Sequence, residues 1–164
     1  MPPLFLHIRV MLLSIIEKRI KALGLQLPQT TAPMGAYIPA IICGNMVFVS
    51  GQLPTVNSIA QYKGSVGDGI SVDEGYQAAR LAALNALAAL KSAVGDLDKV
   101  KRIVKITGYV RSTPGFEQQP KIVNGASELM VDIFGEAGRH ARAAIGVSEL
   151  PAGVPVEIEL IAEI

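Results

Sequence analysis

The residues best suited to chemistry lie in the last two strands that the sequence predicts. Arg142 begins the first of these strands, and the second carries Glu157 and Glu159. A hairpin joining the strands would place Arg142 opposite Glu159 or Leu160, with Glu157 as its diagonal neighbour. An arginine and a carboxylate at that separation can hold opposite ends of a small anionic molecule. Periodicity alone favours the other interpretation, a surface Arg–Glu pair that contributes little stability.

Cysteine and histidine are too sparse to indicate a metal centre or a covalent nucleophile. Cys43, the only cysteine, lies beside Gly44 in a predicted apolar hairpin, where a small buried side chain is expected rather than a reactive thiol. His140 lies close to Arg142 and is predicted to be a solvated loop residue. No phosphate-binding glycine motif occurs. We therefore expect no metal and no cofactor, which leaves acid–base chemistry or binding alone.

Hydrophobic spacing predicts the elements that would position these side chains. The clearest is a helix over residues 72–94, where Ser71 precedes Glu74 at capping-box spacing and Gly95 follows the last turn. The other predictions are, in chain order, strands at 37–42 and 46–50, a loop at 51–70, a strand at 101–113, a helix at 120–134, a loop at 135–140, and strands at 142–147 and 154–164. This order indicates an α+β fold with two helices on one face of a mixed sheet.

The first 30 residues are predicted to form an extension ahead of a domain at 31–164. Its amphipathic helix would end at Gly24 and has four apolar residues at helical spacing: Ile15, Ile16, Ile20 and Leu23. The apolar run at 1–16 is shorter than the roughly 20 residues that span a bilayer, and no cleavage motif follows it. We expect a cytoplasmic protein without a membrane anchor; Met11 offers an alternative start, which leaves open whether residues 1–10 are native.

Composition excludes two classes of protein. Of the 164 residues, 50% are hydrophobic and 18% charged, and the formal net charge is +1. This is too apolar for an intrinsically disordered chain, and too neutral for a dedicated nucleic-acid binder, which needs a basic excess. So little charge also indicates that part of the apolar surface is buried between subunits.

Two sequence blocks, residues 32–54 and 141–162, resemble the paired motifs of the Rid family, also called YjgF and often named endoribonuclease L-PSP. The resemblance extends over about residues 30–164. It implies a chorismate-mutase-like fold and a homotrimer with small pockets in the clefts between subunits. It also implies hydrolysis of reactive enamine and imine intermediates, such as 2-aminoacrylate, to a 2-keto acid and ammonia without a cofactor.

The same resemblance assigns roles to single residues. Arg142 matches the arginine that grips the substrate carboxylate, and Glu157 matches the glutamate that positions or protonates through a water. Tyr37, Ser50 and Asn124 match positions that line the pocket. An anchored carboxylate, an ordered water and a proton donor would suffice for so reactive an electrophile.

The chain departs from the family pattern on both sides of its Ala-Arg pair. The family usually has proline before the pair and serine or threonine after it, whereas this chain has His140 and Ala143. Three functions therefore stay open: an imine deaminase, a trimeric binding protein for small carboxylates without turnover, and a ribonuclease. The +1 charge and the lack of a His/Lys cluster argue against the ribonuclease.

Overall fold

Three α-helices and nine β-strands form the regular structure of the computed structural model, which describes residues 14–30, 33 and 35–164. The helices are α1 (Ile15–Ala22), α2 (Val72–Val94) and α3 (Gln119–Phe134). The strands are β1 (Ala40–Cys43), β2 (Met46–Gln52), β3 (Thr55–Val56), β4 (Ile59–Ala60), β5 (Ser65–Val66), β6 (Gly69–Ile70), β7 (Arg102–Arg111), β8 (Ala141–Val147) and β9 (Val156–Glu163). The α+β prediction is confirmed.

Five of these strands form one mixed sheet in the order β1-β2-β9-β7-β8. Only β7 and β8 are parallel, because α3 connects them as a crossover that returns the chain to the same end of the sheet. β9 pairs antiparallel with both β2 and β7. The predicted hairpin of β8 with β9 is therefore wrong. The two strands lie on opposite sides of β7, since the crossover gives β8 one edge of β7 and leaves the other edge to β9.

One face of the sheet is covered by α2 and α3. None of the described helices covers the opposite face, here called the open face. Alternation along β9 separates the two faces, as predicted: four apolar residues are buried toward the helices and the intervening residues are partly exposed. The buried residues are Val156, Ile158, Leu160 and Ala162. The open face leaves large apolar side chains uncovered in this single chain, namely Ile41, Phe48 and Ile145.

Helix α2 has the predicted bounds and the predicted capping box. The Ser71 hydroxyl accepts from the Glu74 N–H, and the Glu74 carboxylate accepts from the Ser71 N–H. Gly125 lets α3 approach α2 closely, because a Cβ there would collide with the backbone carbonyl of Tyr76. With Gly125 packed against α2, the neighbouring residues Asn124 and Ser127 of α3 contact Arg142 on the edge strand β8.

The N-terminal helix is confirmed as α1, and it is docked on the rest of the fold. The Asp98 carboxylate accepts from the N–H groups of Ile15 and Ile16 at 2.8 and 2.9 Å, and these bonds lower the pKa of Asp98. Ile16 and Ile20 are buried, whereas Ile15 is 61% exposed, so only part of the predicted apolar stripe packs. The helix begins at Ile15 with Ser14 as its N-cap, and the part of the apolar run at 1–16 that precedes Ser14 lies outside the described residues.

Two smaller predictions need correction. The first strand begins at Ala40 rather than at residue 37, because Pro39 breaks the extended run ahead of it. The segment 51–70, predicted as a loop, contains four two-residue strands in two small ladders. Among the described residues, no helix is both long and apolar enough to cross a membrane.

Candidate functional site

Arg142 lies exposed on the edge strand β8 and is held by α3. Its register partner on β7 is Ile106, whose side chain is buried on the helix side, so Arg142 also points toward the helices. The Arg142 Nη1 donates to Asn124 Oδ1 at 2.7 Å and to Ser127 Oγ at 3.2 Å. Its Nε and Nη2 groups donate to no residue within the described part of the chain. The structure thus brings Arg142 and Asn124 together, with one edge of the guanidinium open.

His140 extends this group of residues, and its predicted solvation is wrong. The ring is half-buried, with Nδ1 2.6 Å from the carbonyl oxygen of Gly138 and Nε2 2.9 Å from Ser127 Oγ. Burial lowers the pKa of His140, and the nearby Arg142 cation lowers it further, against an opposing effect of the Gly138 carbonyl. Below, Arg142, Asn124, Ser127 and His140 are called the anchor cluster.

Glu157 lies on the open face of β9, opposite Tyr109 of β7. It is half-buried, and its carboxylate packs so closely on Gly51 of β2 that a Cβ there would collide with it. Burial raises the pKa of Glu157, and the charge of Glu159 raises it further. A carboxyl group with a raised pKa is suited to donating a proton near neutral pH.

Glu159 has a hydrogen-bond partner that Glu157 lacks. The Tyr109 hydroxyl donates to Glu159 Oε1 at 3.0 Å, and burial together with this carboxylate raises the pKa of Tyr109. Among the described residues, no side chain donates a hydrogen bond to the Glu157 carboxylate. Below, Glu157, Glu159, Tyr109 and Gly51 are called the acid face.

Ser50 lies on β2 and Tyr37 just before β1, at the end of the sheet away from the edge strand β8 that carries Arg142. Ser50 precedes Gly51 at a bulge in β2, and its hydroxyl donates to the Ile38 carbonyl at 2.7 Å. Tyr37 stands just before β1 and is 50% exposed. Ser50 therefore holds the segment that carries Tyr37 against the start of the sheet, next to the acid face.

The predicted pair of Arg142 and Glu157 does not form within one chain. Arg142 pairs with Ile106 and faces the helices, whereas Glu157 pairs with Tyr109 and faces the opposite side of the sheet. β7 also lies between the strands that carry them. Their separation follows directly from the strand order that replaced the expected hairpin.

Cys43 is exposed at the end of β1, which corrects the prediction of a small buried side chain. The cause is its place at the end of the edge strand β1, three of whose four residues are exposed. In the part of the chain described by the structure, no three His, Cys, Asp or Glu residues are grouped so that they could hold a metal ion.

Sequence reasoning missed Ser127 and Gly51. Ser127 follows Asn124 by three residues on α3, a spacing that puts both on one helix face, so Asn124 could have led to it. No sequence signal distinguishes Gly51 from the other glycines of its segment, because its importance comes from a carboxylate more than 100 residues further along the chain.

The chain is similar in sequence and in structure to known proteins. The family model described as "YjgF/chorismate_mutase-like, putative endoribonuclease" matches residues 17–164. The crystal structure of the protein Atu1372 from Agrobacterium tumefaciens is 44% identical, with a TM-score of 0.86 and 92% of each chain covered. Protein TCP17 of Trypanosoma cruzi is 41% identical over 150 residues, which are 91% of this chain and 94% of that protein. A 2-iminobutanoate/2-iminopropanoate deaminase of Salmonella typhimurium is 31% identical over 131 residues, 80% of this chain and 89% of that enzyme.

Proposed function

The chain belongs to the YjgF/chorismate mutase-like family, as its motifs indicated, and from that premise we propose that it hydrolyses small 2-imino acids and their enamine tautomers to 2-keto acids and ammonia. The observation that carries the proposal is the Arg142 guanidinium, whose Nη1 is hydrogen-bonded to α3 while its Nε and Nη2 donate to no described residue. The similarity to an enzyme named for the deamination of 2-iminobutanoate and 2-iminopropanoate supports this choice of substrate.

Arg142 supplies the anchor for the substrate carboxylate. Its Nη1 is occupied by Asn124 and Ser127, while Nε and Nη2 donate to no described residue and the residue as a whole is exposed. Two parallel N–H donors match the two oxygens of a carboxylate, which fixes the direction of the substrate as well as its position. A small 2-imino acid held in this way has its C2 atom one bond from the anchored group.

Glu157 supplies the proton. An enamine substrate first takes a proton at C3 and becomes an iminium ion; a water oxygen then adds to C2. One proton of the added water passes to the nitrogen and the other returns to the carboxylate that protonated C3; the C2–N bond then breaks, and ammonia leaves as the C2–O bond becomes the keto group. A carboxyl group that shuttles protons in these steps must exist in both protonation states near neutral pH, and the raised pKa of Glu157 favours this.

An assembly of three chains would bring the two groups together. We place the site between subunits of a homotrimer, where the anchor cluster of one subunit meets the acid face of the next. The uncovered apolar side chains of the open face, among them Ile41, Phe48 and Ile145, are the surface that such an assembly would bury. A cyclic trimer repeats this contact three times and closes, so it leaves no unpaired half-site.

The test is release of keto acid in a coupled reaction. A dehydratase that generates 2-aminoacrylate or 2-iminobutyrate is combined with the purified protein, and keto acid formation is compared with the spontaneous rate under identical conditions. We expect acceleration that scales with protein concentration and disappears in the Arg142→Lys variant. Sedimentation in the same buffer should show a trimer, and a stable monomer with full activity would contradict a site between subunits.

A second candidate function is binding of small carboxylates without turnover. The observation that favours it is that the anchor cluster is complete within one chain, whereas Glu157 lies on the other face of the sheet. Tight binding of 2-oxobutanoate with no acceleration of imine hydrolysis would establish it. We propose the cytoplasm as the location for either function. RNA cleavage that survives repurification but is lost in the Arg142→Lys variant would overturn both the deaminase and the binding proposal.

A further inference from the structure

When the His140 ring is neutral, the hydrogen bonds of the anchor cluster can run in only one direction. The Gly138 carbonyl can only accept, so the His140 Nδ1 that lies 2.6 Å from it carries the proton. In a neutral ring, Nε2 is then an acceptor, and the Ser127 hydroxyl 2.9 Å away must donate to it. The Ser127 oxygen keeps its lone pairs for Arg142 Nη1. The chain of donors therefore runs from Arg142 through Ser127 and His140 to Gly138.

Both ends of this chain are fixed by packing. Gly138 lies so close to α3 that a Cβ there would collide with the carbonyl of Met130, so its own carbonyl has little freedom to move. At the other end, Arg142 Nη1 has two protons, and Asn124 and Ser127 accept one each. The guanidinium can therefore present only its Nε and Nη2 edge to a ligand.

We propose that His140 is a positioning residue, which acts through Ser127 to fix the Arg142 guanidinium in the one orientation that presents its Nε and Nη2 edge to the substrate carboxylate. This deepens the proposed function and rests on it. Without the imidazole acceptor, the Ser127 hydroxyl can donate elsewhere and the guanidinium can turn about its Cδ–Nε bond. A histidine just before the Ala-Arg pair thus helps to orient the Arg142 guanidinium. A proline at this position cannot do so, because it has no side-chain acceptor.

The charges around the ring favour the neutral form on which this direction depends. Arg142 is the cation whose field acts on His140. Arg139 is turned away into an ion pair with Glu136, and Glu128 of α3 accepts from the Tyr76 hydroxyl instead of approaching the ring. No described carboxylate therefore stabilises a protonated His140.

The kinetic test uses two substitutions of His140 that differ in whether the new side chain is long enough to contact Ser127. His140→Asn keeps a donor for the Gly138 carbonyl but is too short for Ser127, whereas His140→Gln can offer its amide oxygen to the Ser127 hydroxyl. We expect His140→Asn to raise KM about three- to tenfold, the effect of one hydrogen bond, while kcat stays within about twofold. His140→Gln should restore KM to within about twofold of wild type.

Two further variants establish the route through Ser127. Ser127→Ala should raise KM as His140→Asn does, and the double variant should be no worse than either single one, because residues that act in series are not additive. Glu136→Gln, on the same loop but outside the cluster, should leave KM unchanged. An unchanged KM in His140→Asn, or independent effects of Ser127→Ala and His140→Asn that add in full, would overturn the inference.

Nuclear magnetic resonance separates this inference from the proposed function. The chain has only two histidines, so ring-labelled protein gives few signals, and His140→Asn identifies those of residue 140. We expect the Nδ1–H tautomer, and Nη signals of Arg142 that are resolved in wild type and averaged in His140→Asn. An Nε2–H tautomer, or Arg142 signals that the substitution leaves alone, would overturn the link. If these signals behave as expected but the protein neither hydrolyses imines nor binds 2-oxobutanoate, the proposed function has failed and the positioning of Arg142 stands.

Discussion

The anchor cluster and the acid face are built in opposite ways. In the anchor cluster, the hydrogen bonds run unbroken from Arg142 Nη1 through Ser127 and His140 to the Gly138 carbonyl, all within the same chain. On the acid face, Glu157 packs against Gly51 and lies near the charge of Glu159, with no described side chain donating to it. One region holds a guanidinium in place through hydrogen bonds within the chain, and the other raises the pKa of a carboxyl group through burial and a neighbouring charge.

This difference matches the two tasks that hydrolysis of an imine requires. Binding needs a rigid group of constant charge, and arginine remains protonated whatever surrounds it. Proton transfer needs a group whose two protonation states lie close in free energy, and burial beside a like charge shifts a glutamate in that direction by raising its pKa. The variants below break one region at a time, from the largest expected effect to the smallest.

Arg142→Lys should have the largest effect, a loss of about 100-fold or more in kcat/KM. Lysine keeps the charge but loses the two parallel donors, so the substrate can swing and its C2 atom leaves the attacking water. The coupled keto acid assay measures the loss, and sedimentation with circular dichroism checks that fold and assembly persist. A variant with most of its activity would show that Arg142 acts only as a charge.

Glu157→Gln should lower kcat about 10- to 100-fold and leave the binding of 2-oxobutanoate nearly unchanged, because shape is kept and only the proton is lost. Its stability should respond to pH as well. Folding raises the pKa of Glu157, so the wild-type fold bears a cost for the charged form that appears as pH rises through that pKa.

The melting temperature of Glu157→Gln should therefore exceed that of wild type by about 1–3 °C near neutral pH. The difference should vanish below the ordinary glutamate pKa of about 4.3, where both states of the wild type are protonated. Calorimetry at the two pH values measures this difference. Equal melting temperatures near neutral pH would mean that the assembled protein gives Glu157 a partner.

Gly51→Ala should reduce kcat about tenfold without touching the chemistry of any side chain, since a carboxyl group moved by about an ångström no longer meets the water. The added Cβ would collide with the end of the Glu157 side chain, which can turn away, so stability should change little. The double variant with Glu157→Gln should be no slower than Glu157→Gln alone. Independent losses would place the effect of Gly51 somewhere other than on Glu157.

Glu159→Gln should have the smallest effect, a shift of the pH–rate profile to lower pH by less than about one unit with little change in maximal kcat. The charge of Glu159 is the second cause of the raised pKa of Glu157, after burial. Removing that charge lowers the pKa, so Glu157 loses its proton at a lower pH. The profile of the Tyr109→Phe variant, which keeps the carboxylate, serves as the matched control.

Elements that depend on neighbouring residues were predictable from the sequence. The capping box and Gly95 gave α2 its bounds, and the strict alternation of β9 predicted which of its faces is buried. The resemblance to the Rid motifs led to Arg142, Asn124 and Glu157 as site residues. Of these, the structure joins Arg142 to Asn124 by a hydrogen bond, and the roles of all three residues remain predictions.

What the sequence could not provide is pairing between distant segments. Two strands joined by a short connection are normally neighbours in a sheet. Here β8 and β9 instead pair with opposite edges of β7, a strand of 10 residues that pairs on both sides. The contact of His140 with Ser127 has the same origin, because it depends on how α3 packs beside β8. Patterns of polarity describe faces of elements and contain no information on which elements meet.

The central position of β9 has a consequence for how the protein is made. β9 is the last of the described strands in chain order and the third of five across the sheet, and its Glu163 accepts from the side chain of Asn45, 118 positions earlier. On the ribosome, β2 and β7 therefore emerge with unpaired edges and stay unjoined until β9 has been synthesised. Completion of the sheet must wait until residues 156–163 have been synthesised, and a premature stop before residue 156 would leave two sheet fragments with exposed edges prone to aggregation.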